Sequence, residues 1–325
     1  MNAQVTSRTL PATPHIVVAI PFTASERATV EAAAPAALFA HSGKDVASDD
    51  DVALADIVMG NLPPRQLALA KNLQWVQLAS AGADAYMAPG KIPPNVTLTN
   101  CVGAYGQAVS EHMLAMLLSL MKNLPLYRDN QRGHVWQNRG AVTTLVDANV
   151  VVLGLGDIGG HFARLVSALG AHVIGVRRHA SAPMPESGVQ RIVTMDQLPQ
   201  ILPQADVVAS FLPGGIETHH MLGAAFFASM KHTSYFLNGG RGSVVDTDAV
   251  RDALVNGRLA GAGLDVTDPE PLPAEDSLWD VPNALITPHI AGGYQLPQTL
   301  ENVAAICAGN LRHFLANEPL RNTVR

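Results

Sequence analysis

Cysteine is nearly missing from this 325-residue chain: Cys101 and Cys307 are the only two, and they lie far apart in sequence. Two thiols cannot build a disulfide framework, and neither has metal-ligand spacing. They read as free, buried thiols in a reducing compartment. Charge is scarce too, at 15% of residues, with a balance of −6. A nucleic-acid-binding domain needs a basic face, so this composition argues against that class of partner. No apolar run is long enough to cross a bilayer, because the longest, residues 113–121, falls far short of the ~20 residues a helical span requires. Residues 1–14 are polar and lack a hydrophobic signal core, which points to a cytoplasmic protein with no membrane association. They also lack acidic residues, which keeps a weak organellar-targeting reading open.

What is present is a long apolar-rich chain, 48% hydrophobic, suited to two globular domains. Residues 150–178 organise the rest. Val150 to Leu153 reads as a buried strand, Gly154-Leu-Gly156-Asp-Ile-Gly159 follows, and an apolar-faced helix leads to His172-Val-Ile-Gly-Val and Arg177-Arg178. A GxGxxG alone is weak, but one between a strand and a helix in a unit of about 30 residues marks a dinucleotide site. Gly154 permits the turn, Gly156 lets a pyrophosphate approach the backbone, and Gly159 lets the helix pack on the strand. The helix N-terminus, at Asp157 and Ile158, offers N–H groups to the phosphates.

Strand and helix signals alternate along the whole chain, which predicts α/β architecture with parallel sheets. Strands are predicted at 15–20, 57–59, 75–78 and 96–99 on the N-terminal side, with a helix over 28–40 interrupted by Pro35. A buried helix is expected over 108–124, with Glu111 and His112 near its start and a polar continuation over 127–136. Later strands are predicted at 205–211, 234–237, 261–264 and 284–287. The helices between and after them fall at 195–202, 221–230, 246–256 and 296–316. From composition alone the small-residue loop 79–84 is an ordinary turn, although it directly follows a strand, where open α/β sheets bind ligands.

Arg241, Asp265 with Glu270 close behind, and His289 all fall just past strand ends, on the edge shared with the glycine turn. An arginine, a carboxylate and a histidine are the parts that a hydride transfer to a 2-oxo acid needs. The substrate carboxylate wants a bidentate cation. The carbonyl oxygen gains charge as hydride arrives and wants a proton donor. A carboxylate beside an imidazole favours the protonated ring, which makes Glu270 and His289 an acid/base pair. Singly, Arg241 could cap or pair locally, and Asp265 could be either a cofactor contact or a structural cap.

Taken together, these motifs resemble the D-isomer-specific 2-hydroxyacid dehydrogenases, the group that includes glyoxylate/hydroxypyruvate reductases. The likeness runs through the glycine turn and Leu212-Pro213 with Glu217-Thr218-His219. It continues in Asn238-Gly-Gly-Arg241-Gly, in Gly263-Leu-Asp265-Val with Pro269-Glu270-Pro271-Leu272, and from Trp279 to Gly292. The resemblance implies two Rossmann-like domains. A doubly wound parallel sheet, residues 101–291, would bind the dinucleotide. It would be inserted into a smaller flavodoxin-like substrate domain of residues 1–100 plus 292–325. It implies that Arg241 binds the substrate, that His289 is the general acid in reduction, and that Glu270 supports it. It also implies that the Ala81-Gly82 backbone holds the substrate carboxylate, that Asp265 meets the nicotinamide carboxamide, and that Gly239 and Gly240 bind the cofactor. Leu212, Pro213 and Thr218 would line the adenosine side. It implies a homodimer with residues 108–136 near the interface. Formate dehydrogenases share the fold but place a glutamine where Glu270 stands, and their substrate needs no general acid.

One departure concerns the cofactor. Members that prefer NAD carry an acidic residue at the end of the second strand of the glycine unit, for the ribose hydroxyls. Here Arg177, Arg178 and His179 stand there, and no Asp or Glu occurs between Asp157 and Glu186. An arginine pairs with a 2′-phosphate, so NADP is the expected cofactor, with NADPH preferred over NADH. The leading reading is a reductase of small 2-oxo acids such as glyoxylate or hydroxypyruvate, with no metal. The alternatives are a reductase of bulkier 2-oxo acids and a dinucleotide-sensing protein like the corepressors that resemble this family.

Overall fold

The computed structural model describes residues 11–179 and 184–324. Residues 1–10, part of the stretch read for targeting, lie outside it. The strands are β1 (His15–Ala19), β2 (Leu38–His41), β3 (Ile57–Gly60), β4 (Trp75–Gln77), β5 (Thr97–Thr99), β6 (Asn149–Leu153), β7 (His172–Val176), β8 (Val189–Val193), β9 (Val207–Ser210), β10 (Tyr235–Asn238), β11 (Gly261–Leu264) and β12 (Ala284–Ile286). The helices are α1 (Ala24–Glu31), α2 (Asp49–Leu54), α3 (Pro64–Leu67), α4 (Asp84–Met87), α5 (Gly106–Met121), α6 (Leu124–Arg132), α7 (Asp157–Ala168), α8 (Leu198–Ile201), α9 (Ala224–Ala228), α10 (Thr247–Val255) and α11 (Pro297–Leu315).

Two compact units result. One comprises Met1–Tyr105 with Tyr294–Arg325, and the other, Gly106–Gly293, is inserted within it in sequence. The first holds a parallel sheet in the order β2-β1-β3-β4-β5. The second holds a parallel sheet in the order β12-β11-β10-β9-β6-β7-β8. Both are α/β sheets of the Rossmann type. β6 and β9 are buried at nearly every position, which fits valine-rich strands covered on both faces. α5 packs on α7, and it also contacts β10 and β11.

Local chemistry corrects several sequence-based spans. The helix expected over 28–40 is instead α1, opened by a capping box of Thr23 and Glu26 and finished by Glu31. Pro35 lies in the break after it, and Leu38–His41 pairs with β1 as an edge strand. The helix expected over 108–124 ends at Met121, because Asn123 adopts a left-handed conformation (φ 57°) before Pro125 sits in the first turn of α6. The segment expected as a helix over 221–230 contracts to α9, since Leu222 is drawn into a bridge with Val245. The 195–202 helix is α8 flanked by short 3₁₀ turns. β2, β8 and α2 had no counterpart in the sequence-based reading.

In the first unit a buried polar network joins the sheet to the C-terminal helix. Trp75 Nε1 donates to Thr99 Oγ1, which donates to Gln77 Oε1, both at 2.8 Å. Asn310 Nδ2 on α11 donates to the same Gln77 oxygen at 2.8 Å and to Arg321 O at 2.9 Å. Its Oδ1 accepts from Arg321 N at 2.8 Å. Trp75 also stacks on Phe314 of α11, centroids 4.9 Å apart. Cys101 and Cys307 are both buried and free. A hydrogen bond between the thiols, together with burial, raises the Cys307 thiol, which keeps it protonated and unreactive. Asn310→Ala leaves the Arg321 backbone groups without their partner. It should cost about 1–3 kcal/mol of stability, read as a lowered denaturation midpoint with the folded far-ultraviolet spectrum retained.

Candidate active site

The order of the larger sheet reverses at β6, with β7 and β8 on one side and β9 to β12 on the other. Open α/β sheets bind ligands at such a switch point, outside the C-terminal strand ends. The glycine turn sits there. Gly154 has φ +88°, and a Cβ on Gly159 would lie 1.9 Å from Gly154 O, so both positions demand glycine for internal packing. Gly156 differs, because a Cβ there would meet nothing within 4 Å. The protein does not need that glycine for its own packing, and the open space lies at the N-terminus of α7, where unpaired N–H groups gather. Asp157 and Ile158 form the first residues of that helix.

Beside the turn is a cleft of about 420 Å³, lined by Gly154, Gly156, Arg177, Arg178, Leu212, Pro213 and Thr218, among others. Thr218 Oγ1 donates to Pro213 O at 2.9 Å and closes the loop after β9. Arg177 is half-buried and donates from Nη2 to Leu155 O at 2.7 Å, bracing the glycine turn itself. Arg178 and His179 are exposed, and His179 does not line the cleft. An open glycine, a helix N-terminus and an apolar wall beside two guanidinium groups fit a dinucleotide.

β10, β11 and β12 are adjacent, so their following loops lie side by side. In the first loop, buried Asn238 donates from Nδ2 to Arg241 O at 3.1 Å and accepts from Gly240 N at 3.2 Å. A Cβ on Gly240 would sit 2.7 Å from Leu212 O, and one on Gly242 would sit 1.8 Å from Thr267 O. Gly239 is similarly tight, against Met113. The glycines flanking Arg241 thus allow neighbouring loops to touch, while Arg241 itself is half-buried and donates to Gly240 O at 2.9 Å.

Asp265, 3% exposed, anchors the third loop. Its Oδ1 accepts from Thr287 Oγ1 at 2.6 Å and Ile290 N at 3.0 Å, and its Oδ2 accepts from Ala291 N at 3.1 Å. Its main-chain carbonyl accepts from His289 N at 2.8 Å. His289 is held at φ +51°, and its Nδ1 lies 2.5 Å from Glu270 Oε1. The structure therefore brings together Asp265, Glu270 and His289. It adds Thr287 and His112, whose Nε2 lies 3.0 Å from Thr287 Oγ1 across 175 residues of sequence. Neither had been assigned a role from sequence. The available signals were the position of Thr287 at a strand end and a histidine on an otherwise apolar helix.

Ala81 and Gly82 belong to the other unit, in the loop after β4. Asn61 Oδ1 accepts from Ala79 N at 2.9 Å, Ser80 Oγ donates to Gly82 O at 2.6 Å, and Asn100 Nδ2 donates to Ala81 O at 2.8 Å. The carbonyls are thereby engaged, while the N–H groups of Ala81 and Gly82 have no partner among the described residues. Nearby in the chain fold, Tyr105 Oη donates to Ala79 O and bonds to Tyr294, whose hydroxyl burial pushes up to about 12.

Residues 114–291 match the sequence model of the D-isomer specific 2-hydroxyacid dehydrogenase NAD binding domain. Glyoxylate/hydroxypyruvate reductase B of Pectobacterium carotovorum subsp. carotovorum is 30% identical over 267 residues, covering 78% of this chain and 80% of that protein. The crystal structure of a D-isomer specific 2-hydroxyacid dehydrogenase family protein from Aeromonas salmonicida subsp. salmonicida superposes with a TM-score of 0.85 at 31% identity, covering 96% of this chain and 99% of that one. A D-isomer specific 2-hydroxyacid dehydrogenase from Xanthobacter autotrophicus, solved with NADPH and MES, gives 0.79 at 27% identity over 97% and 98% of the two chains. A dinucleotide cleft at the switch point, a histidine–carboxylate pair on the same sheet edge, and likeness over nearly the full chain agree: the protein belongs to the D-isomer specific 2-hydroxyacid dehydrogenases.

Proposed function

We propose that the protein reduces the carbonyl of a small 2-oxo acid, of the glyoxylate or hydroxypyruvate kind, to a D-2-hydroxy acid at the expense of NADPH. The observation that carries the reading is the 2.5 Å contact between His289 Nδ1 and Glu270 Oε1 at the end of β12. With Nδ1–H directed to the carboxylate, Nε2 is the nitrogen left to face substrate. When bound, the nicotinamide supplies the hydride that reaches the carbonyl carbon. His289 Nε2–H gives its proton to the carbonyl oxygen, and the neutral ring is reprotonated from solvent. Arg241 holds the substrate carboxylate and carbonyl by charge-assisted hydrogen bonds. Asp265, Gly239 and Gly240 form the wall beside the nicotinamide.

The NADPH preference rests on Arg177 and Arg178 in the cleft, with no carboxylate in their place. The relative from Xanthobacter, solved with NADPH, supports it by likeness. The same reading makes the protein a cytoplasmic homodimer. Support comes from the segment after α6, where Trp136 is fully exposed and its neighbour Val135 is exposed as well.

Initial rates with a 2-oxo acid panel test the reaction. Turnover of glyoxylate or hydroxypyruvate is expected with NADPH, and His289→Ala should reduce kcat by at least about 100-fold, as loss of a general acid does, while cofactor affinity is kept. Tight cofactor binding without turnover on any acid of the panel would instead support a sensor. The two arginines are separable. Arg178→Ala should weaken NADPH by about 10- to 100-fold, the loss of one charge-assisted hydrogen bond, and leave NADH unaffected. Arg177→Ala should weaken both, since it also braces Leu155, and an equal effect of Arg178→Ala on the two cofactors would refute the phosphate role. Sedimentation should show a dimer for the wild type and a shift toward monomer for Trp136→Asp; an unchanged dimer would move the interface elsewhere.

A further inference from the structure

Outside the groups assigned above, the larger unit holds a second histidine–carboxylate cluster. His220 Nε2 lies 2.8 Å from Asp268 Oδ2, and His219 Nε2 lies 3.9 Å from the same oxygen. One donor atom from each of the three residues falls within 4.8 Å of the others. The imidazole rings of His219 and His220 stack with centroids 4.0 Å apart and planes at 26°. Consecutive side chains on an extended strand point to opposite sides. Here a left-handed His220, φ +48°, turns the second ring beside the first. A lone His220–Asp268 hydrogen bond accounts for one ring and one oxygen. It does not account for the second imidazole, that of His219, aimed at the same oxygen from 3.9 Å, nor for His220 being held in a backbone conformation that costs free energy for a non-glycine residue.

The two loops that carry these groups are fixed to a common base. His220 N donates to Ser243 O at 2.8 Å, and Leu222 N donates to Val244 O at 3.0 Å. Asp268 N donates to Thr247 Oγ1 of the same segment at 3.1 Å. Gly242 packs against Thr267 so tightly that a Cβ would not fit. Both sides of the cluster are therefore positioned by residues 242–247 before any ligand arrives. Preorganised ligands lower the ordering cost of binding.

We propose that His219, His220 and Asp268 form a binding site for a borderline divalent transition-metal cation, Zn²⁺ or Ni²⁺. Two imidazoles and one carboxylate are the donors these ions favour, whereas Mg²⁺ and Ca²⁺ favour oxygen-only sets. Three protein donors at a surface leave further coordination positions to water. The ion has no part in the hydride transfer. It clips the loop after β9, which bears Thr218 of the dinucleotide cleft, to the loop after β11, which bears Glu270. Binding to the folded chain alone therefore stabilises it.

Calorimetric titration of the full-length protein with Zn²⁺, Ni²⁺ and Mg²⁺ tests the site, with thermal denaturation as an independent readout. One equivalent of Zn²⁺ or Ni²⁺ per chain, no Mg²⁺ binding, and a raised melting temperature are expected. His219→Ala and Asp268→Asn should each weaken the transition metal by about 100-fold and abolish the thermal shift, while metal-free melting of His219→Ala stays near wild type. Binding that survives unchanged in the His219→Ala/Asp268→Asn double variant places the ion on other histidines and overturns the assignment. Absence of stoichiometric binding to the wild type overturns it as well.

Discussion

The buried carboxylate of Asp265 is the constraint on which the candidate active site depends. Three donors from residues 287–291 converge on its two oxygens, and its main-chain carbonyl receives a fourth from His289. A buried carboxylate is tolerated only when its lone pairs are satisfied, and a hydrogen bond to a charged group is worth about 1.5–3 kcal/mol. The loop after β12 thus has one low-energy path, and that path delivers His289 to Glu270. Glu270 is fixed from the other side, through Thr267 Oγ1 donating to Pro269 O at 2.9 Å and through the close packing of Gly242 on Thr267. Three adjacent strands each carry one of these loops, so Arg241, Glu270 and His289, far apart in sequence, lie on neighbouring loops along one edge.

The dinucleotide cleft obeys a different constraint. Its glycines are of two kinds, those the protein needs for its own packing and one it does not. Gly159 and Gly154 let α7 and the β9 loop close on β6, and Gly156 leaves space in front of the helix N-terminus. Arg177 then serves two ends at once. One guanidinium nitrogen holds the glycine turn through Leu155 O, and the side chain still lines the cleft beside Arg178. The cation at the end of β7 is therefore part of the turn's architecture as well as part of the cleft wall.

Features set by neighbours in sequence were legible before the structure. The glycine turn, the β6 and β7 strands, the helix α10 expected over 246–256, and the strand-end placement of Arg241, Asp265 and His289 all follow from short-range pattern. What was not legible is set by distant partners. β2 has only four residues, and its identity as a strand comes from pairing with β1. β8 carries two exposed polar residues in its middle, so its pattern resembles neither a buried nor an alternating strand. His112, Thr287 and Asp265 become one network only when α5 packs over β10 and β11. The apolar surface of α5 was read correctly as packing surface, and the histidine on it could not be assigned from one helix alone.

The energetics of His289 separate stability from chemistry. Its backbone sits at φ +51°, a conformation that costs a non-glycine residue about 1–3 kcal/mol. The ion pair with Glu270 does not offset this, because both side chains are nearly half exposed and such pairs contribute about 0–1 kcal/mol. The compensation comes from the Asp265 bonds, which would stabilise this loop equally well with any residue at position 289 able to adopt the same backbone. The pair is nearly half exposed and His289 is strained, while the Asp265 carboxylate beneath it is buried and bonded through both oxygens. That division, a rigid hydrogen-bonded base carrying a solvent-facing histidine–carboxylate pair, is the arrangement that the proposed proton transfer requires.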